Sequence, residues 1–166
     1  MSAFWEQGIR IFRKHNFIYS FSGTIGENVP LRWDTTAGGN NLRGYLVQQF
    51  RGDTQLNAKA EYHFPLFSIG SADFRALAFY DASAIWFRHL PTGYPIDGYV
   101  RRDDYEQRSF NLNYLQPGFK LTRDVHNDVG GGFRFFLRSV AIPLVGIDAG
   151  YGLESGIWRF ILVIGA

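Results

Sequence analysis

Apolar and polar residues alternate with a period of two through most of this chain, which predicts β-strands. In 54–65, Leu56, Ala58, Ala60, Tyr62 and Phe64 share one face, and Asn57, Lys59, Glu61 and His63 share the other. Residues 16–26 set Phe17, Tyr19, Phe21 and Ile25 against Ser20, Ser22 and Thr24. Residues 73–87 set Phe74, Ala76, Ala78, Tyr80 and Ala82 against Arg75, Leu77, Phe79 and Asp81. In 129–138, Phe133, Phe135 and Leu137 oppose Arg134, Phe136 and Arg138; in 143–152, Val145, Ile147, Ala149 and Tyr151 oppose Gly146, Asp148 and Gly150. The last strand turns Trp158, Phe160, Leu162 and Ile164 to one side and Arg159 to the other.

A further hairpin is read at 109–125. Phe110, Leu112 and Tyr114 alternate with Ser109, Asn111 and Asn113, Gln116-Pro117-Gly118 is a turn signal, and Phe119, Leu121 and Val125 then alternate with Lys120, Thr122 and Asp124. With it the expected strand number is eight; without it the count is six, and the hairpin is an insertion in a loop. The segment 1–15 does not alternate. On a helical wheel Phe4, Trp5, Ile9, Ile11 and Phe12 cluster opposite Glu6, Gln7, Arg10, Arg13 and Lys14, which predicts a short amphipathic helix suited to a membrane interface, followed by one β-domain over 16–166.

The faces opposite the aromatics hold a few charges among Ser, Asn, Gly and Phe, as in a narrow barrel filled by its own side chains. A strand of about 10 residues rises roughly 33 Å; tilted by about 40°, it spans the roughly 25 Å apolar band of an outer-membrane barrel. Connections 27–53 and 88–107 are long and polar, whereas 65–72 and 139–143 are short, the division expected between external loops and periplasmic turns; 153–156 departs from it, being short on the side of the long loops. The fold expected is therefore all-β, a transmembrane antiparallel β-barrel of eight strands in a bacterial outer membrane.

Composition narrows this further. Aromatics make up 17% of the chain and charged residues 19%, and 19 glycines supply turns and bends. The formal net charge is +2 with scattered cations, which gives no reason to expect a nucleic-acid partner. With no cysteine there is neither a disulfide framework nor a thiolate metal site, and no cofactor or metal is expected. No apolar run reaches the roughly 18–20 residues of a membrane-spanning helix. The start, Met1-Ser2-Ala3-Phe4-Trp5-Glu6, is no secretory signal, so the expectation is a mature form or part of a longer chain.

One loop stands out. Gly38-Gly39-Asn40-Asn41-Leu42-Arg43-Gly44-Tyr45 precedes two strands that each carry an acid on the less apolar face, Glu61 and Asp81. With Ala60-Glu61-Tyr62-His63-Phe64-Pro65, Phe79-Tyr80-Asp81-Ala82-Ser83, Gly130-Gly131-Gly132-Phe133-Arg134 and the stretch from Pro143 to Gly152, this loop resembles the C-terminal barrel of the bacterial surface antigen family, which includes the BamA, TamA and two-partner-secretion transporters. The resemblance runs from about residue 16 to the chain end. It implies that the loop folds into the lumen and that Arg43, flanked by Gly44 and Tyr45, bonds Glu61 and Asp81 as a lock. It also implies outer-membrane lipid as the surroundings and outer-membrane proteins as clients. Family barrels usually have sixteen strands and follow periplasmic repeats, so this chain would be a reduced member with a structural or accessory role in outer-membrane biogenesis, closed on itself or assembled with copies of itself.

Two other readings stay open. The chain is a fragment of a full assembly or secretion barrel, or it is a small outer-membrane enzyme in which His63, His89 or His126 works with Ser71, Ser83 or Ser109. No nucleophile elbow or metal-ligand spacing accompanies those residues, and the expectation is a protein that is not an enzyme.

Overall fold

The computed structural model describes residues 1–12, 14–27, 35–89, 118–137 and 143–164. Their fold is all-β. Seven strands form one antiparallel meander: β1 (Ser2–Phe12), β2 (His15–Ile25), β5 (Thr54–Ile69), β6 (Ala72–Trp86), β7 (Val125–Leu137), β8 (Pro143–Gly152) and β9 (Ile157–Ile164), hydrogen-bonded in that order. Two short strands, β3 (Thr35–Ala37) and β4 (Phe50–Gly52), pair with each other inside the β2–β5 connection. The large sheet is open, with β1 and β9 at its edges.

The alternation read from sequence is the alternation of faces. One face carries Asp81, Ser83, Asp128, Arg134 and Asp148, all buried. The other presents Phe21, Leu56, Phe133, Ile147, Trp158, Phe160 and Leu162, each more than half exposed. Charge lies beneath the β3–β4 loop and apolar surface lies outside, the reverse of a water-soluble sandwich. The pairing is regular enough to keep this division across the sheet, with Lys59 opposite Asp81, Asp81 opposite Asp128 and Gly132 opposite Asp148.

Several expectations need correction. Residues 1–15 are not an amphipathic helix: Ser2–Phe12 is β1, paired along its length with β2, with Trp5 opposite Phe21. The two rings stack with centroids 5.9 Å apart. At the sheet edge every residue of β1 is exposed, so no buried face imposes alternation, and β2 supplies the ladder that decides the conformation. The separate N-terminal segment therefore merges into the sheet.

The strand number is also different. Among the described residues the sheet has seven strands instead of eight, and it is not closed. Residues 109–117 of the expected hairpin lie outside the described residues. Its second half is not a strand: Leu121–Asp124 is a single helical turn, α1, and Val125 opens β7. The Asp124 carboxylate accepts the Lys120 N–H at 2.6 Å and Arg123 Nε–H at 2.5 Å, fixing the turn locally. The turn expected at 65–72 tightens to Gly70 and Ser71, because β5 runs on to Ile69. It does so through an irregularity between Pro65 and Phe67, where proline has no donor for the ladder. Gly70, with φ 57°, supplies the left-handed residue this hairpin needs.

Candidate functional site: the Arg43 loop

The site is built where the β2–β5 connection folds over the polar face of the sheet. Ala37, Leu42, Tyr45 and Phe50 from the connection meet Ile85 of β6 in a small apolar cluster. This cluster sets the loop down so that Arg43, 5% exposed, points into the acidic strip of the sheet.

Asp81 takes the guanidinium in fork geometry, accepting Nε–H at 2.7 Å and Nη2–H at 2.8 Å. Glu61 Oε1 lies 2.6 Å from Nη1, and Asp148 Oδ2 lies 3.3 Å from the same nitrogen. The Phe79 ring closes the site, its centroid 3.5 Å from Arg43 Cζ. A planar guanidinium presents donors in a rigid fork and cannot deprotonate, so a pocket of carboxylates holds it in one orientation. The loop residue thus ties together β5, β6 and β8.

The surrounding groups extend the network. Asp148 is shared: Arg134 Nη1 and Nη2 donate to its two oxygens at 2.5 and 2.8 Å. Glu61 bonds His63 Nε2 at 2.8 Å. Asp128 Oδ2 accepts the Gly44 backbone N–H at 2.8 Å. Lys59 Nζ donates to the Asn40 carbonyl. Arg43, Glu61 and Asp81 are the three charged residues singled out from sequence, and they meet; Gly44 and Tyr45 take neighbouring roles. Asp128, Asp148, Arg134 and Lys59 were missed. Each is a charge on the less apolar face of a strand, a signal present in sequence, but its partner is distant along the chain.

Gly44 has a steric reason to be glycine. A Cβ there would sit 2.5 Å from the Gly152 nitrogen and 2.7 Å from the Tyr151 carbonyl carbon; a Cβ on Gly150 would lie 2.6 Å from the Arg43 carbonyl carbon. The loop backbone rests directly on that of β8, and neither side can yield locally. Gly44→Ala is expected to lower stability by about 1–3 kcal/mol through overpacking, measured as a fall in the urea midpoint without change in slope.

Tyr45 forms a second latch. Its hydroxyl donates to the Asn127 carbonyl at 3.2 Å and accepts the Glu154 N–H at 3.3 Å, while Glu154 Oε1 accepts the Asn127 N–H at 3.0 Å. Tyr45→Phe is expected to cost about 1 kcal/mol and to raise the amide-exchange rate at Glu154.

Two of the histidines considered for catalysis have side-chain partners of their own: His63 bonds Glu61, and His126 stacks on Phe50 with centroids 3.5 Å apart. The backbone N–H of His89 donates to Asp53. Ser83 donates to Asn57, Ser71 sits in the β5–β6 turn, and Ser109 lies outside the described residues. Among the described residues no group of three or more His, Asp or Glu side chains has the geometry to hold a metal ion. Comparison with protein-family models, with curated proteins and with solved structures finds no match for this chain.

Proposed function

We propose that this sheet forms wall of a transmembrane β-barrel in a bacterial outer membrane, of the kind found in the bacterial surface antigen family, with the Arg43 loop held in the lumen. Its role is structural or accessory in outer-membrane biogenesis. The observation that carries this reading is Arg43, delivered by an in-folded loop to Glu61, Asp81 and Asp148 on three strands of the polar face. The inverted faces support it, since lipid takes the place of water outside the sheet.

The open edges make a completed wall part of the reading, because hydrocarbon does not tolerate unpaired backbone groups. Copies of the chain supply it, or the chain is a segment of a larger barrel; the outer edges of β1 and β9, which pair with no further strand among the described residues, favour a completed wall in either form. Two measurements test the proposal. A semi-native gel of detergent-purified protein is expected to give a heat-labile band above monomer mass; a compact monomer that slows on boiling would mean that one chain closes alone. Vesicles containing the protein are expected to fold an added outer-membrane protein several-fold faster than empty vesicles, and equal rates would remove the assembly role.

A further inference from the structure

The Arg43 loop rests on a carboxyl group that no cation reaches. Among the described residues, Glu61 and Asp81 pair with Arg43, and Asp148 with Arg43 and Arg134, while Asp128 has no ion pair. Asp128 is fully buried directly under the loop, where a Cβ on Gly44 would meet its own Cβ at 2.8 Å. Its Oδ2 accepts the Gly44 N–H at 2.8 Å, and its buried Oδ1 has no hydrogen-bond donor among the described residues. An ionised carboxylate in that position has lost its water and gained one neutral donor in return, a poor exchange.

The group beside it is a second acid. Asp128 is the register partner of Asp81 across the β6–β7 ladder, on the same face, and the two carboxyls lie within hydrogen-bonding reach. The cations nearby are committed: Arg43 to its acidic pocket, Arg134 to Asp148, and Lys59 of β5 to the Asn40 carbonyl. Glu61 of β5 holds His63, and His126 of β7 lies 3.8 Å from Glu154 in the β8–β9 turn. Directly opposite on β8 is Gly152, which brings no charge. Two ionised carboxylates are acceptors only and cannot bond one another. A pair packed this closely out of water keeps one proton between them.

We infer that Asp128 is a carboxylic acid in the folded protein, donating Oδ1–H to the Asp81 carboxylate, and that this proton pins the Arg43 loop. Every atom is then satisfied. Oδ2 is the carbonyl oxygen that accepts Gly44 N–H, and each Asp81 oxygen, already accepting one N–H of Arg43, has a lone pair left for the new donor. The proton joins the backbone anchor at Gly44 to the side-chain anchor at Arg43. The inference concerns the loop itself and holds whether lipid or water lies outside the sheet.

Loss of the proton sets two like charges side by side and loosens both anchors. In the open loop Asp128 meets water and is ionised at neutral pH, as aspartates ordinarily are. The closed state therefore binds one proton more than the open state, and the stabilisation is complete at acid pH and lost as pH rises. Opening increases by up to about tenfold per pH unit while the closed pair keeps its proton, then levels off once it has lost it.

The test uses the full chain in detergent. Its infrared spectrum at neutral pH is expected to show the C=O stretch of a protonated carboxylic acid, kept in Glu6→Gln and absent in Asp128→Asn. Limited proteolysis of loop 35–52 is expected to speed up toward alkaline pH as that band fades. Asp128→Asn keeps the carbonyl acceptor and supplies an N–H donor to Asp81, so its loop is expected to stay closed with no such rise, whereas His63→Gln retains the rise. Absence of the band from the wild type at neutral pH overturns the inference, and that reading requires no variant to fold. An unchanged alkaline rise in Asp128→Asn also overturns it, by assigning the titration to Lys59 or another neighbour.

Discussion

Arg43→Ala is expected to lower the unfolding free energy by about 3–5 kcal/mol, the cost of breaking a buried ion pair by removing one partner. The substitution strands Asp81, which is fully buried and has both carboxylate oxygens committed to Arg43. Asp148 keeps Arg134 and Glu61 keeps His63, so these two relax more easily. The loss is therefore concentrated on β6. A solvated arginine in a surface turn would change stability by less than about 0.5 kcal/mol. Denaturant titration in lipid or detergent separates the two outcomes. Limited proteolysis adds a local readout, because loop 35–52 should be cut faster while the strands stay protected. Arg43→Lys keeps the charge and loses the fork, and should recover only part of the loss. Asp81→Asn removes the acceptor charge and should resemble Arg43→Ala more closely than Glu61→Gln does.

The second large effect lies on the opposite face. Phe133 is 62% exposed near the middle of β7, between Ala76 of β6 and Ile147 of β8. Phe133→Arg is expected to cost about 2–4 kcal/mol if that face meets the hydrocarbon midplane. On a water-facing sheet the same change would be nearly neutral, since surface substitutions of this kind stay within about 0.5 kcal/mol. The measurement is refolding into vesicles across a denaturant series, with Trp158→Arg near the end of β9 as a comparison. A smaller penalty is expected there, because the cost falls toward the interface. Equal and negligible effects at both positions would place water outside the sheet and end the membrane proposal.

Much of this architecture is legible in sequence because a strand repeats every two residues and the two environments differ sharply. Phe133 beside Arg134, or Ile147 beside Asp148, discloses the faces without knowledge of any partner. The ends of the sheet lack this contrast. Along β1 both sides are exposed, so Phe4, Trp5, Ile9, Ile11 and Phe12 satisfied a helical wheel as well as they satisfy an edge strand. The lock was half visible for a related reason. Glu61 and Asp81 follow the loop in the next two strands, whereas Asp148 reaches Arg43 across 105 residues, and only the register of the folded sheet brings them together. Closure is a property of pairing and leaves no local mark at all.

Six antiparallel pairings join the seven strands, so the chain reverses direction an even number of times and β1 and β9 run the same way. The parity has a consequence for any completed wall. A second copy rotated about the membrane normal would bring its β1 alongside β9 in parallel, making a seam unlike the rest of the sheet. A wall that stays antiparallel all the way round needs an odd number of additional strands, a complement that one further seven-stranded sheet meets in number but, as a rotated copy, offers with its edge strands pointing the wrong way. Direction at the seam, read by cross-linking cysteines introduced into this cysteine-free chain, therefore distinguishes a wall made of copies from one built by different strands.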